Sequence, residues 1–339
     1  MEYFYFPALK TRSSELRAFS KLENKNGILP ILALTKSRIS KNNLTGSIDK
    51  KMNELKEDFK DIYFILDVST EESLINNEIR DFLSPNDGFK KWVEFVKKYK
   101  KDFKNLIPCV HFAPDNIDDV KKQILNLDEF ETLALRLPGD ENLNEYLKII
   151  DDRKKIILIL DCLDKYNELN TANDIKHFKG LIYLASSFPK TLSENEGKIK
   201  LNEQEYYIKE LSSKYCYGDY GCTYPIRYDM KARGWIPRID IPVINNNEAV
   251  VYYKKNRTDE VTSTEEAYIK IAQKLWENEI IRKLNIVDNW GYKFFMDAAK
   301  YGTIFGKSPS FWISVRMNIY MSLTLNKMKN LVEAKSLEI

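Results

Sequence analysis

Charged or polar side chains stand at the ends of apolar segments through the first two-thirds of the chain. In "DIYFILDVS" the apolar run ends at Asp67, and in "KKIILILDC" it ends at Asp161. The residues in this position are Lys10, Lys36, Asp67, His111, Arg136, Asp161, Ser186 or Ser187, and Asp219. Lysine and arginine bind anions, and carboxylates orient such cations or hold a divalent metal. If they converge, these residues predict a site for an anionic ligand, a metal, or both.

A structural explanation competes with this functional one. Strands must end, and polar residues end them, so Lys10 and Lys36 could simply be solvated. Arg136 could pair with Asp67 or Asp161 only to stabilise the fold. His111 fits a satisfied core or rim histidine as well as a catalytic base. The positions of these side chains in the folded protein distinguish the two interpretations.

The apolar segments that carry these residues indicate a parallel sheet. They lack polar alternation, which is typical of strands covered by helices on both faces. Seven such segments alternate with helical patterns: Tyr3–Leu9, Ile28–Thr35, Ile62–Val68, Leu106–Phe112, Thr132–Pro138, Ile156–Cys162 and Leu181–Ser187. An eighth candidate lies around Lys214–Gly221. Eight repeats predict an α/β fold of the (β/α)8 TIM-barrel type, with an open doubly wound sheet as the alternative. In both folds the strand ends meet where ligands bind.

The pattern changes after residue 225. Trp235–Ile244 and Ala249–Lys255, joined by an asparagine-rich turn, predict a β-hairpin. Helical patterns follow, one of them starting at Thr264, and the last carries Trp312, Val315, Ile319 and Leu323 on one face. We therefore expect an α/β barrel domain over residues 1–225. Residues 226–339 should form a hairpin and helices that pack on it.

Composition excludes several classes of protein. The 339 residues include 53 Lys and Arg against 50 Asp and Glu, so the net charge of +3 gives no general argument for nucleic-acid binding. Two histidines and four cysteines argue against a zinc site, and the cysteines suit a reducing compartment. No apolar run approaches the ~18 residues that a membrane span needs, and no signal peptide is evident. These observations predict a cytoplasmic protein.

Known catalytic motifs give no further help. A phosphate-binding glycine loop, an HExxH motif and a nucleophile elbow are all missing from the sequence. The stretch "YGDYG" (Tyr217–Gly221) is unusual, because its glycines permit a positive φ or a close backbone approach. It fits either a tight turn or a site loop that carries Asp219.

Several short motifs resemble one family. "YFYFPALKTRSSELRAF", "ILPILALTKSR", "LALRLPG", "IILILDC", "ASSFP" and "YGDYG" are similar to segments of the bacterial and phage proteins of the beta family. Near the C-terminus Trp312 and Arg316 match that family, whereas Tyr320 stands where the family has histidine. The resemblance covers most of the chain. It implies a role in phage–host conflict and carries no established enzymatic activity.

Two hypotheses of function follow. In the first, the chain is a phage-defence or phage-related protein whose barrel mouth binds a nucleotide or a nucleic-acid phosphate. Lys10, Lys36 and Arg136 would contact the anion, and Asp67, Asp161 and Asp219 would orient these cations or hold a metal such as Mg²⁺. No cofactor is otherwise indicated.

The second hypothesis is a non-catalytic interaction module that recognises a phage protein or holds a partner effector. Its contacts would be aromatic residues of the hairpin and the C-terminal helices, because aromatics dominate binding hot spots. The candidates are Trp235, Tyr252, Tyr253 and Trp290. The alternative is that these residues pack the C-terminal elements onto the barrel.

The strand order makes one geometric prediction. Arg136 and Asp161 belong to neighbouring strands, the fifth and the sixth, so their side chains should be in reach of each other. Asp67 belongs to the third strand and must reach across the mouth to meet Arg136.

Overall fold

The computed structural model describes residues 3–140, 142–148, 150, 153–170, 175, 177–226, 236–244, 249–254, 263–284 and 286–337. Its strands are β1 (Tyr5–Lys10), β2 (Ile31–Leu34), β3 (Phe64–Val68), β4 (Leu106–Val110), β5 (Leu133–Pro138), β6 (Ile156–Leu163), β7 (Gly180–Ala185), β8 (Glu196–Lys200), β9 (Cys216–Asp219), β10 (Arg238–Val243) and β11 (Ala249–Lys254). Its α-helices are α1 (Ser13–Ser20), α2 (Ile48–Phe59), α3 (Asn77–Phe82), α4 (Asn86–Lys100), α5 (Ile117–Asn126), α6 (Leu143–Leu147), α7 (Asn202–Tyr206), α8 (Thr264–Trp276), α9 (Glu279–Arg282), α10 (Trp290–Tyr301) and α11 (Pro309–Leu337). A 3₁₀ turn spans Glu72–Leu74, and a π-helical turn over Tyr207–Leu211 continues α7.

Eight parallel strands close into a barrel in the order β1-β2-β3-β4-β5-β6-β7-β9. The barrel closes through β1, where Ala8 pairs with Ile31 of β2 and Pro7 pairs with Asp219 of β9. The predicted (β/α)8-like fold is therefore confirmed, and the open-sheet alternative is wrong. The eighth barrel strand, β9, lies inside the segment Lys214–Gly221 that the sequence indicated.

Apolar side chains fill the barrel below its mouth. This inner cluster includes Phe6, Ile31, Ile65, Ile107, Cys109, Ala134, Ile157, Ile159, Ile182 and Leu184. Successive side chains on a strand point to opposite faces, so residues two positions apart share a direction. Asp67, Arg136 and Asp161 each lie two residues beyond a member of this cluster. All three therefore point towards the barrel axis at the carboxyl ends of their strands.

A second sheet of three strands lies outside the barrel. β10 and β11 form the predicted hairpin, in which Ile241 pairs with Val251. The predicted hairpin ends Trp235 and Lys255 lie outside the described residues. β8 completes this sheet beside β11, although its sequence "EGKIK" gave no strand signal and buries only Ile199. The region 1–225 thus contributes a strand to the second sheet as well as the whole barrel.

The long helix α11 packs against the barrel and this sheet. Its predicted apolar face is buried at Trp312, Val315, Ile319 and Leu323. On the same side, Tyr320 donates its hydroxyl proton to Oδ2 of Asp219 on β9 at 2.7 Å, and Arg316 forms an ion pair with Asp240 on β10. Within the described segments, no helix combines the length and the apolar character that crossing a membrane requires.

Candidate ligand site at the barrel mouth

A cluster of four polar side chains forms the floor of the barrel mouth. Arg136 donates to Oδ2 of Asp161 from Nε at 2.9 Å and from Nη2 at 2.7 Å, and to Oδ2 of Asp67 from Nη1 at 3.1 Å. Nη2 also donates to the hydroxyl of Tyr220 at 2.9 Å, and that hydroxyl donates to Oδ1 of Asp161 at 2.6 Å. Both parts of the geometric prediction are confirmed: Arg136 meets Asp161 beside it and Asp67 across the mouth.

The charge on Arg136 is secured by its neighbours. Burial by itself lowers the pKa of a guanidinium, but Asp161, Tyr220 and Asp67 more than offset it, and the pKa of Arg136 lies well above its ordinary value. Four of the five N–H bonds are used within the cluster, which leaves one on Nη1 without a partner among the described residues. With 22% of its side chain exposed, Arg136 remains within reach of a ligand.

His111 lies beside Asp67 in the wall of the mouth. Its ring stacks on Trp92 with centroids 4.6 Å apart, and Nδ1 lies 3.0 Å from the carbonyl oxygen of Phe82. Burial lowers the pKa of His111 below its ordinary value, although Asp67 and the Phe82 carbonyl act in the opposite direction. The imidazole is therefore neutral at pH 7.

A cavity of about 810 Å³ opens above this floor. Its volume lies within the range of ligand sites, about 300–1,000 Å³. One wall is apolar and includes Leu83, Phe89, Phe112, Pro114 and Tyr146. Another part of the lining is the segment after β3, Ser69–Ser73, which offers hydroxyl and carboxylate groups. A lining with both apolar and polar parts suits a ligand with both kinds of surface.

The backbone next to the apolar wall is strained. Asp87, Gly88 and Phe89 all have positive φ, between 54° and 71°, inside the segment Asn86–Lys100. A left-handed conformation costs roughly 1–2 kcal/mol at a residue with a side chain. In this conformation Phe89 lies in the cavity wall, 5.7 Å from the His111 ring. Such strain is found most often at functional sites.

The rim carries further charges. Nζ of Lys10 lies 2.6 Å from Oε1 of Glu71 and donates to the carbonyl oxygen of Pro225 at 3.0 Å. Glu72 also lines the cavity, and it forms an ion pair with Arg80, which is not part of the lining. Among the described residues, the lining holds two cations, Lys10 and Arg136, and four carboxylates, Asp67, Glu71, Glu72 and Asp161. The charge that these residues present to the cavity is negative.

The structure brings five of the predicted residues to this cavity: Lys10, Asp67, His111, Arg136 and Asp161. Lys36 lies elsewhere, where Nζ donates to the carbonyl oxygen of Ile75 at 3.1 Å beside a smaller surface cavity. Ser186 and Ser187 do not line the mouth; they bind Thr223 and Glu203.

Asp219 points away from the mouth. Its carboxylate accepts the hydroxyl protons of Tyr5 and Tyr320, each at 2.7 Å, in the layer between the barrel and α11. The next residue, Tyr220, reaches the floor instead. Gly218 packs so closely that a Cβ would lie 2.8 Å from the Phe6 carbonyl oxygen, and Gly221 has φ +60°. "YGDYG" is therefore a strand end and turn that places Tyr220 in the floor, a residue that the sequence analysis missed because no local pattern distinguishes its direction from that of Asp219.

Metal ligands are sparse here. Across the described ranges, no group of three His, Cys, Asp or Glu side chains is arranged to hold a metal ion. The four cysteines are free thiols. A divalent ion at the mouth would therefore need ligand atoms from a bound molecule as well as from Asp67 or Asp161.

Comparisons with known proteins identify the family of this chain. The sequence model of the family "Beta protein" matches residues 5–325. The chain is 30% identical to "Protein beta" of Enterobacteria phage P4 in an alignment of 360 positions, which covers 98% of this chain and 94% of the phage protein. No solved structure matches the chain. With a match across nearly its whole length, this phage-related chain belongs to the Beta protein family.

Proposed function

We propose that this phage-related protein binds a small ligand in the cavity at the mouth of its barrel. The observation that carries the proposal is the cluster of Arg136, Asp67, Asp161 and Tyr220 on the floor of an open cavity of about 810 Å³. An ion pair that only stabilised the fold would not require an open cavity above it. Polar groups that converge beneath apolar walls are the usual composition of a ligand site.

The lining charge narrows the choice of ligand. The sequence pointed to an anion such as a nucleotide or nucleic-acid phosphate. Arg136 and Lys10 are already engaged by carboxylates, however, and four acidic groups outnumber these two cations among the described lining residues. A neutral or cationic ligand with hydrogen-bond donors fits this lining better. A phosphate would need Mg²⁺ to offset the acidic lining. Nucleotides with Mg²⁺ are therefore included among the ligands to be tested.

The test is isothermal titration calorimetry with a panel of ligands. The panel comprises nucleotides and short oligonucleotides, each with and without Mg²⁺, and small neutral and cationic molecules. Tyr220→Phe removes one hydroxyl from the floor and should weaken ligand binding roughly tenfold. The matched control is Tyr292→Phe, which removes a buried hydroxyl that donates to the Ile281 carbonyl oxygen, remote from the mouth. Flat titrations across the panel, or equal losses in both variants, would contradict the proposal.

A role in antiviral defence is the biological part of this proposal, supported by the relation to a phage protein. If the mouth is responsible, Asp161→Asn should abolish any effect of the protein on phage plating while the variant stays folded. The interaction-module alternative predicts instead that substitutions in the hairpin abolish it. Tyr252 is buried and Tyr253 and Trp290 are half-buried against the core, which favours the mouth. Trp235 lies outside the described residues.

A further inference from the structure

Nε2 of His111 and Oδ1 of Asp67 lie 3.9 Å apart in the wall of the mouth, and Oδ1 accepts the backbone N–H of Val68 at 2.8 Å. A carbonyl oxygen can only accept, so the 3.0 Å contact of Nδ1 with Phe82 places the ring proton on Nδ1. Nε2 then carries a lone pair. It is buried, and no donor within the described part of the chain reaches it. Nε2 therefore lacks a donor among the described residues, and Oδ1 of Asp67, which already accepts one hydrogen bond, can accept a second beside the cavity.

This arrangement selects for a donor with several protons on one atom. A nitrogen about 2.9 Å from each acceptor readily spans their separation. It needs two N–H bonds to satisfy both acceptors, which a hydroxyl group or an anion cannot supply. A protonated primary amine has three.

The surroundings favour a positively charged group with an apolar stem. Within the described part of the chain, the cavity lining contains four carboxylates against two cations. Leu83, Phe89 and Val110 lie in the lining beside His111 and would cover an aliphatic chain. The same lining disfavours a carboxylate or phosphate group at this point, because Asp67 would repel it.

We propose that the mouth recognises a primary ammonium group, with His111 Nε2 and Asp67 Oδ1 as its acceptors. The inference rests on the proposed ligand-binding function and gives the ligand a chemical class. Free alkylamines and the side chain of lysine in a peptide share this group.

The test compares two probes of equal charge by calorimetry. n-Butylammonium has three N–H bonds, whereas n-butyltrimethylammonium has none. We expect the first to bind at least about tenfold more tightly than the second. A tripeptide with a central lysine and blocked termini separates the sources: it binds if the mouth takes a protein side chain, and fails if it takes only free amines. Equal affinities for the two butyl probes would overturn the inference.

His111→Asn is the critical variant, because its amide can still donate to the Phe82 carbonyl while Nε2 is lost. It should abolish the preference for n-butylammonium, and Tyr292→Phe should retain it.

In wild type, ¹⁵N spectra of the histidine ring should show the Nε2 resonance moving on addition of n-butylammonium and Nδ1 keeping its proton. An unmoved Nε2 resonance despite binding would refute the assigned acceptor even if His111→Asn failed to fold. If another ligand of the panel binds in a Tyr220-dependent manner and n-butylammonium does not, this inference fails and the proposed function stands. If nothing binds, both fail.

Discussion

Arg136 and Asp67 are joined across the barrel mouth although β4 separates their strands. Nη1 of Arg136 lies 3.1 Å from Oδ2 of Asp67, while Nη2 lies 2.7 Å from Oδ2 of Asp161 on neighbouring β6. Closure of the barrel makes the longer connection possible, since inward side chains of non-adjacent strands converge on the axis. A single guanidinium thus links β3, β5 and β6.

Arg136→Leu should destabilise the protein, because it leaves two largely buried carboxylates without their cation. A fully buried pair loses about 3–5 kcal/mol; since 22% of the Arg136 side chain is exposed, we expect a loss of about 1–3 kcal/mol. Arg136→Leu combined with Asp161→Leu should recover part of it, and Asp67 prevents full recovery. Urea unfolding of both single variants and the double variant measures this.

The control for this cycle is Lys98→Leu, which breaks the exposed ion pair with Asp49 and should change little. If Arg136→Leu and Asp161→Leu instead leave the melting temperature unchanged or raise it, the cluster does not stabilise the fold. Its charges would then be retained for a ligand at the expense of stability.

Tyr320→Phe should lower the free energy of unfolding by about 1–3 kcal/mol, because buried Asp219 loses the only bond to its Oδ2 that is seen within the described residues. Tyr320→His, which introduces the histidine that the family resemblance places near this position, should lose less. An imidazole N–H can still donate to the carboxylate. Thermal unfolding of both variants tests the order, with the exposed Tyr63→Phe as control. Equal losses in the two variants would show that packing of the phenol ring dominates.

Glu203 should make stability fall as the pH rises towards neutrality. Its carboxyl group contacts the Ser187 hydroxyl, which has a single proton and also lies 3.1 Å from the carbonyl oxygen of Lys200. A protonated Glu203 satisfies all three groups. Burial raises the pKa of Glu203 from 4.5 to about 7, so the folded state binds this proton more tightly than the unfolded state does. The resulting stabilisation is complete below pH 4.5 and disappears as the pH rises to about 7.

Glu203→Gln mimics the protonated acid and removes this dependence. We expect the variant to be more stable than wild type above pH 7, by at most about 3 kcal/mol, and to lose that advantage at acidic pH. Urea unfolding of both proteins across this window gives the difference. A constant difference at every pH would mean that Glu203 does not titrate there.

His111 should have the opposite effect on the pH dependence of stability. Because burial lowers its pKa below 6.5, the unfolded chain binds the proton more tightly than the folded protein does. Stability is therefore lost as the pH falls from 6.5 towards the pKa of His111 in the folded state. His111→Asn should remove this loss, while the same substitution at His177 should retain it. An NMR titration of the His111 ring with a midpoint at or above 6.5 would contradict the assignment.

The sequence by itself predicted the parallel strands and favoured the barrel. Apolar segments without polar alternation are typical of parallel strands covered by helices, and a count of eight favoured a closed barrel over the open doubly wound sheet. The same reasoning placed Arg136 beside Asp161, because consecutive strands of such a barrel are neighbours. The residue pattern could not reveal β8, since the short edge strand "EGKIK" buries a single apolar residue.

Only the tertiary structure decided which polar residues enter the mouth. A strand that is buried on both faces shows no alternation in its sequence, so the direction of each side chain is not readable from it. For this reason Asp219 and Tyr220 could not be distinguished, and a shift of one residue sent the carboxylate to α11 and the phenol to the site. For the same reason the sequence did not show that Lys36, which follows a short strand, points towards Ile75. The lone pair on Nε2 of His111, which meets no donor among the described residues, depends on the contact of Nδ1 with Phe82, 29 residues away, which no local pattern encodes.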